Sequence, residues 1–203
     1  RGLNQDSQRY WLEQVQGLSV SPVLSPMWRN DGKTLTVENP GDELSFSLTA
    51  AQSEKVKALG RQLGATPAAV FLALYHSLIH HYQGERDSLI NYVGANRQAA
   101  RYGRSFGCFV NTLVSRVSFT PETTLLSLCQ DVQQRLTENF KHEAYPFVEL
   151  IRKSTAEGAE TSSALSRYFF VMQNAPTRID GIPGVSIDLV PQRSFYSMYD
   201  MVL

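Results

Sequence analysis

The sequence has little cysteine. Its 203 residues include only Cys108 and Cys129, too few for a disulfide framework or a cysteine-rich zinc site. The chain also lacks the charged and apolar regions of a secretory signal. We therefore expect a reduced, cytoplasmic setting.

An excess of charge is missing as well. Nineteen Lys and Arg residues balance nineteen Asp and Glu residues, and a balanced charge does not attract phosphate backbones or anionic lipids. No apolar run reaches the roughly eighteen residues that would suggest a membrane span. Nucleic acids and membranes are therefore not expected as partners.

The familiar catalytic and metal-binding motifs are absent too. The chain has no GxSxG elbow, P-loop or GxGxxG run,. His76 and His80 share one helix face, but Ser77 stands where a metalloprotease helix carries glutamate, and no third ligand is nearby. His81 points about 100° away from His80, and Cys129 lies on an apolar helical stripe typical of an inert, buried thiol. We predict no metal site, and histidines that lie near the last carbonyls of a helix.

The pattern that is present predicts a layered α/β or α+β domain, since 42% hydrophobic residues suit a packed core,. Residues 1–17 resemble a short helix without an obvious strong N-cap, and 17–41 resemble a connector. Thr49 with Gln52 predicts a capped helix ending at Gly64, and Thr66 with Pro67 starts a largely buried one. Two further helices are predicted, one that starts at Thr120 with Pro121 and one in PFVELIRK (146–153), which a loop at 154–164 follows,. Strands are predicted in six segments: ELSFSL (43–48), DSLINYV (87–93), residues 109–117, RYFFVMQ (167–173), VSIDLV (185–190) and SFYSMYDMVL (194–203),.

One polar residue lies on a core-like strand face. In FVNTLVSRV (109–117), alternation places Asn111 between Phe109 and Leu113,. A buried, unpaired amide would cost about 1 to 3 kcal/mol. Asn111 is therefore expected either to tie down a neighbouring backbone or to line a polar channel.

The same stretch carries a family resemblance. FGCFVNTLVSR (106–116) resembles the (I/V)GxFVNTxxxR motif of condensation domains of nonribosomal peptide synthetases, with matches at Gly107, Phe109, Val110, Asn111, Thr112 and Arg116. Similar family segments follow in order: YWLEQVQG (10–17), GATPAAVFLALYHSLIHHYQGERD (64–87), NYVGANR (91–97), HEAYPFVEL (142–150) and FFVMQN (169–174). The resemblance covers essentially the whole chain and corresponds to the C-terminal half of such a domain.

This resemblance implies a fold and a division of the chain. The fold would be α/β, a chloramphenicol-acetyltransferase-like lobe with a mixed sheet flanked by helices. Residues 1–41 would form an interlobe helix and connector, and residues 42–203 the C-terminal lobe. Because the resemblance implies a chain cut at a two-lobe junction, we expect an exposed apolar strand edge that self-associates or binds the N-terminal half.

The family's catalytic histidine belongs to an HHxxxDG motif on the N-terminal lobe. In LIHHYQGERD (78–87), Glu85 and Arg86 occupy the Asp and Gly positions of that motif, and the alignment puts the stretch at a helix end in the C-terminal lobe. We therefore assign no catalytic residue to this chain and expect it to be inactive alone. Support of the substrate tunnel or of the lobe junction is assigned to Arg97, Asn111, Thr112, Arg116 and His142.

The implied reaction is amide formation between two carrier-protein-bound thioesters, an acyltransferase activity. The substrates would ride on phosphopantetheine arms, with no cofactor bound directly to the chain. The implied partners are the N-terminal lobe, upstream and downstream peptidyl carrier proteins and an adenylation domain. Heterocyclisation stays open, and the alternative is a catalytically inactive docking module that recruits a carrier protein or tailoring enzyme; an intact upstream HHxxxDG would favour catalysis.

Overall fold

The computed structural model describes residues 4–17, 41–97, 105–157, 165, 167–173, 197 and 199–203. The predictions for the connector over 18–40, the strand at 185–190 and the loop from 158 to 164 lie outside these residues. The described helices are α1 (Gln5–Val15), α2 (Ala50–Leu63), α3 (Pro67–Gln83), α4 (Leu125–Lys141) and α5 (Phe147–Glu157), and the described strands are β1 (Asp87–Gly94), β2 (Asn111–Ser118), β3 (Tyr168–Phe170) and β4 (Met201–Val202).

Side-chain caps determine where the first three helices begin. Thr49 and Gln52 form the predicted reciprocal capping box of α2, and Gly64 ends that helix in the left-handed conformation, with φ at 62°,. Thr66 accepts a hydrogen bond from the backbone of α3, and Pro67 is its first residue,. Helix α1 does have an N-cap, because the side-chain oxygen of Asn4 accepts a hydrogen bond from the backbone N–H of Asp6 at 3.0 Å. The expectation that α1 lacks a clear cap was therefore wrong.

The sheet is mixed, as predicted. Its described strands lie in the order β2-β1-β3-β4. Strand β1 pairs antiparallel with β2, from Asp87 opposite Ser118 to Gly94 opposite Asn111, and parallel with β3, which pairs parallel with β4. Helices α3 and α4 pack against each other and against β1 and β2, while α1 and α5 contact β2. This places both ends of β2 beside helix ends.

Several strand predictions need correction. ELSFSL is not a strand in the structure: residues 41–49 pair with no strand in the described part of the chain, and Leu44 and Phe46 are 88% and 71% exposed. Alternation indicates an extended segment with two faces, but a strand also needs a neighbour to hydrogen-bond with. The strand predicted at 109–117 begins at Asn111, and RYFFVMQ contributes only Tyr168–Phe170.

Two helix boundaries also differ from the prediction. Helix α4 begins at Leu125, because Thr124 and Ser127 form its capping box and Thr120 instead begins a turn closed by the backbone of Thr123 at 3.0 Å. Helix α5 continues through the start of the predicted loop. Ser154 is buried there, and its hydroxyl donates to the carbonyl of Leu150 at 2.8 Å. This hydrogen bond within the helix satisfies the polar side chain that had suggested a loop.

The core is continuous, but α3 is less buried than expected. Leu72 and Ile79 are fully buried, whereas Leu74 and Leu78 are 40% and 42% exposed on the far face of the helix. Among the described residues, no helix by itself has the length and apolar character needed to cross a bilayer. Within the described part of the chain, only α2 and α3 taken together have that length and apolar character, and these two helices meet at a bend of 100°.

Candidate functional site

Asn111, the first residue of β2, holds the turn between α4 and α5. Its side-chain amide donates to the carbonyls of Glu143 and Tyr145, both at 2.7 Å. Its side-chain oxygen accepts from the backbone N–H of Phe147, the first residue of α5, at 3.2 Å. Asn111 therefore ties down a neighbouring backbone, the first of the two alternatives that its sequence position predicts. Removing the amide would leave buried polar groups unpaired at about 1 to 3 kcal/mol each.

His142 sits one residue before that turn and receives helix α1. The hydroxyl of Ser7 is hydrogen-bonded to His142 Nδ1 at 3.0 Å, and the Tyr10 ring stacks on the imidazole with centroids 4.1 Å apart. Trp11 Nε1 donates to the His142 carbonyl at 3.0 Å. The side chain and the backbone of His142 both serve to dock α1.

Asn139 extends the same contact inward, and sequence reasoning missed it. It is 2% exposed, accepts from the Tyr10 hydroxyl at 2.6 Å, and donates to the Tyr92 hydroxyl and the Val114 carbonyl, both at 2.9 Å. Burial, followed by the nearby Glu138 carboxylate, raises the pKa of Tyr10 to about 12. Tyr10 therefore stays a neutral hydrogen-bond donor at physiological pH.

Arg116 fixes the other end of α1. Its guanidinium donates to the carbonyls of Gln14 and Gln16 at 3.3 and 2.8 Å, and to Asp87 Oδ2 at 3.0 Å. It thus satisfies carbonyls that a helix end leaves without partners. Burial opposes the ionisation of Asp87, but hydrogen bonds from Ser118 and Arg116 outweigh it and hold the pKa of this carboxyl below its usual value.

Arg97 lies beyond the opposite end of the β1–β2 ladder. Its guanidinium donates to the carbonyls of Ser105 and Gly107 at 3.0 and 2.9 Å. The guanidinium carbon lies 4.3 Å from the centroid of the Phe109 ring, within the range of a cation–π contact,. Arg97 thereby fastens the segment before β2 to the chain that follows β1.

Thr112 completes the set of predicted residues. It lines a gap, together with Trp11, Tyr145 and Leu150, that leaves no volume for a water molecule. The structure therefore brings Asn111, Thr112 and His142 together around the α4–α5 turn. It separates Arg97 and Arg116, which lie towards opposite ends of the β1–β2 ladder.

His76 was predicted to lie near the last carbonyls of α3. That prediction is wrong, because the residue lies in the core. It is fully buried, and its two ring nitrogens are hydrogen-bonded to the hydroxyls of Ser88 and Ser115 at 2.8 and 2.9 Å. Burial, followed by the charge of Arg135, lowers the pKa of His76 to about 3. A neutral imidazole with both nitrogens engaged is a structural link between α3 and the sheet.

His80 does lie at the end of α3, as expected. Its Nδ1 donates to the Glu85 carbonyl at 2.6 Å, and its ring stacks on Phe119 with centroids 3.9 Å apart. It borders an open cleft of about 600 Å³ that Arg86 also lines. Among the described residues, no three His, Cys, Asp or Glu side chains lie together as a metal site would require.

The mixed sheet flanked by helices has the chloramphenicol-acetyltransferase-like fold. The family model described as "Condensation domain" matches residues 2–200. The chain therefore belongs to the condensation-domain family.

Relatives and solved structures agree with this assignment. Phosphinothricin tripeptide synthetase PhsC of Streptomyces viridochromogenes is 30% identical over 187 residues, which are 91% of this chain and 16% of that protein. The first condensation domain of the CDA synthetase has a TM-score of 0.66 at 18% identity, over 87% of this chain and 35% of that one. The X-domain from teicoplanin biosynthesis reaches 0.75 at 17% identity, over 98% and 44%. The chain thus spans less than half the length of each of these proteins.

Proposed function

We propose that the chain forms the C-terminal lobe of a nonribosomal peptide synthetase condensation domain that makes an amide between two carrier-bound thioester substrates. The observation that carries this proposal is the family match over residues 2–200. The amine nitrogen of the downstream aminoacyl group attacks the carbonyl carbon of the upstream thioester. A C–N bond forms, the C–S bond breaks, and the upstream pantetheine thiol leaves with the proton that the amine loses.

In this proposal the described residues hold the structure around the substrates in place and take no part in the chemistry. The histidine that orients or deprotonates the amine comes from an HHxxxDG motif on the N-terminal lobe. Arg97, Asn111, Thr112, Arg116 and His142 support the tunnel or the lobe junction. Their contacts with α1, the α4–α5 turn and the segment before β2 support these roles, since small displacements of positioning groups cost much of an enzyme's rate,.

The partners follow from the same reaction. Upstream and downstream peptidyl carrier proteins deliver the substrates on phosphopantetheine arms, so the lobe itself needs no bound cofactor. An adenylation domain supplies the activated amino acid. Residues 1–41 serve as the interlobe helix and connector, and His142 and Arg116 attach α1 to the lobe formed by residues 42–203.

Reconstitution from separate lobes tests the proposal. The chain is mixed with an N-terminal lobe that carries HHxxxDG and with a panel of aminoacyl-loaded donor and acceptor carriers, and amide products are measured by mass spectrometry. We expect product from the two lobes together, none from this chain alone, and none when both His residues of HHxxxDG are replaced by Ala.

Two outcomes would contradict the proposal. Product from this chain alone, at a rate near that of the complete domain, would show that the chemistry does not lie on the other lobe. Carrier binding without product in every reconstitution would favour the alternative function, an inactive docking module that recruits a carrier protein or tailoring enzyme.

A further inference from the structure

Glu143 is a buried carboxylate between the end of α4 and the turn that follows β1. It is 4% exposed. Its Oε2 accepts the backbone N–H of Asn96 at 3.3 Å, and its own carbonyl accepts from the Asn111 amide at 2.7 Å. The residue therefore connects two parts of the candidate site, the α4–α5 turn and the turn after β1.

The turn after β1 has the shape that such a contact would stabilise. Asn96 has a φ of 50°, a left-handed conformation that is uncommon outside glycine and in which Asn is enriched,. Gly94 has no Cβ and therefore leaves room for the Glu143 carboxylate beside this turn. A Cβ on Gly94 would lie 3.3 Å from Glu143 Oε2 and 2.8 Å from Leu113 Cδ1.

Arg97 follows Asn96 directly, so the conformation of Asn96 sets the direction in which the Arg97 side chain leaves the turn. That side chain holds the carbonyls of Ser105 and Gly107 just before β2. A continuous series of contacts therefore runs from the Glu143 carboxylate through the Asn96 N–H to the Arg97 guanidinium.

We propose that Glu143 is a positioning residue that fixes the left-handed turn at Asn96 and, through it, the grip of Arg97 on the segment before β2. The inference deepens the proposed function and rests on it, because Arg97 is one of the supporting residues named there. HEAYPFVEL (142–150) resembles the family motif (H/N)QDxPFExL, and Glu143 stands at the glutamine of that motif. Both side chains offer an oxygen acceptor at the same reach, so the role requires the acceptor and not the charge.

Two substitutions separate the acceptor from mere filling of space. Glu143→Gln keeps the oxygen acceptor, and Glu143→Leu keeps similar bulk without it. In the full 203-residue chain, NMR hydrogen exchange is measured at the Asn96 amide and at the Arg97 guanidinium. We expect Glu143→Leu to speed exchange at both groups by about tenfold or more, and Glu143→Gln to stay within about twofold of the parent.

Controls distinguish this result from general loosening. Glu149→Leu on α5 makes the same chemical change at a carboxylate that pairs with Arg152, and it should leave both groups unchanged. The amide of Ile90, inside the core, should stay protected in every variant. If Glu143→Leu fails to fold, Glu143→Met provides a second test, since a flexible thioether side chain also lacks the oxygen acceptor and should speed exchange at Asn96.

Two outcomes would overturn the inference. One is unchanged Arg97 exchange in Glu143→Leu while Asn96 is released, since the effect would then stop at Asn96. The other is equal acceleration in Glu143→Gln and Glu143→Leu, since an acceptor oxygen would then not be sufficient. Neither outcome bears on amide formation in the two-lobe assay, so this inference and the proposed function can fail separately.

Discussion

His76 links α3 to two strands through the hydroxyls of Ser88 and Ser115. Its imidazole is fully buried and must stay neutral, because a proton would add a desolvated charge to the core,. A single side chain can therefore make the stability of the domain depend on pH, even though the residue lies away from the contacts around Asn111.

We expect His76 to destabilise the fold as the pH falls. The unfolded chain takes up this proton near the ordinary value of 6.5, while the folded chain does so only near 3. The contribution is therefore fully present above pH 6.5 and is lost progressively below it, by about 2 kcal/mol between pH 7 and pH 5. His76→Gln, which does not titrate, should remove that loss when urea unfolding is measured at both pH values.

The exposed His81 provides the matched control for this measurement, because His81→Gln should keep the parent's pH dependence. An equal loss of stability in the parent and in His76→Gln between pH 7 and pH 5 would assign the acid sensitivity to other groups.

Helix α1 shows how an element is held by both ends at once. Trp11 and Val15 are each 2% exposed and supply the apolar contact. His142 receives the helix through Ser7, Tyr10 and Trp11, and Arg116 binds the carbonyls at its C-terminal end. The orientation of α1 should therefore depend on polar contacts as well as on burial.

Arg116→Lys should loosen the end of α1 while leaving the fold intact. A lysine ammonium is a compact point charge and cannot reach three acceptors as the planar guanidinium does. We expect amides in the last turn of α1 to exchange about tenfold faster, with no change in α3. Arg135→Lys is the control, since the Arg135 guanidinium pairs with Asp131 one turn away on the same helix, α4. Equal exchange in both variants would show that Arg116 does not hold α1.

Local sequence patterns predicted the helices better than the contacts between them. The caps at Thr49 and Thr66 involve residues three positions apart, so they can be read from the sequence,. Asn139 was visible only as a polar residue three positions after Leu136 on a buried stripe, and its partners lie far away in sequence. The contact of Glu143 with Asn96 was not predicted from the sequence, because it spans 47 positions.

The failed strand prediction at ELSFSL has a cause at the scale of the whole molecule. Residues 41–49 keep the alternation of a strand, but Leu44 and Phe46 point into solvent and no described strand pairs with them. Apolar side chains in a row, exposed on an unpaired extended segment, are typical of a surface that another chain or lobe covers. This agrees with the two-lobe arrangement that the proposed function requires.

The last prediction is that this chain self-associates or binds the N-terminal lobe through Leu44 and Phe46. Burying both side chains should contribute about 3 kcal/mol or more, so the double variant Leu44→Ser with Phe46→Ser should weaken binding by at least about tenfold. Sedimentation measurements, alone and with the N-terminal lobe, provide the readout. Val148→Ser removes a side chain that is 74% exposed on α5 and should change neither result. A monodisperse monomer without affinity for the N-terminal lobe would contradict the prediction, because the exposed segment would then need no cover.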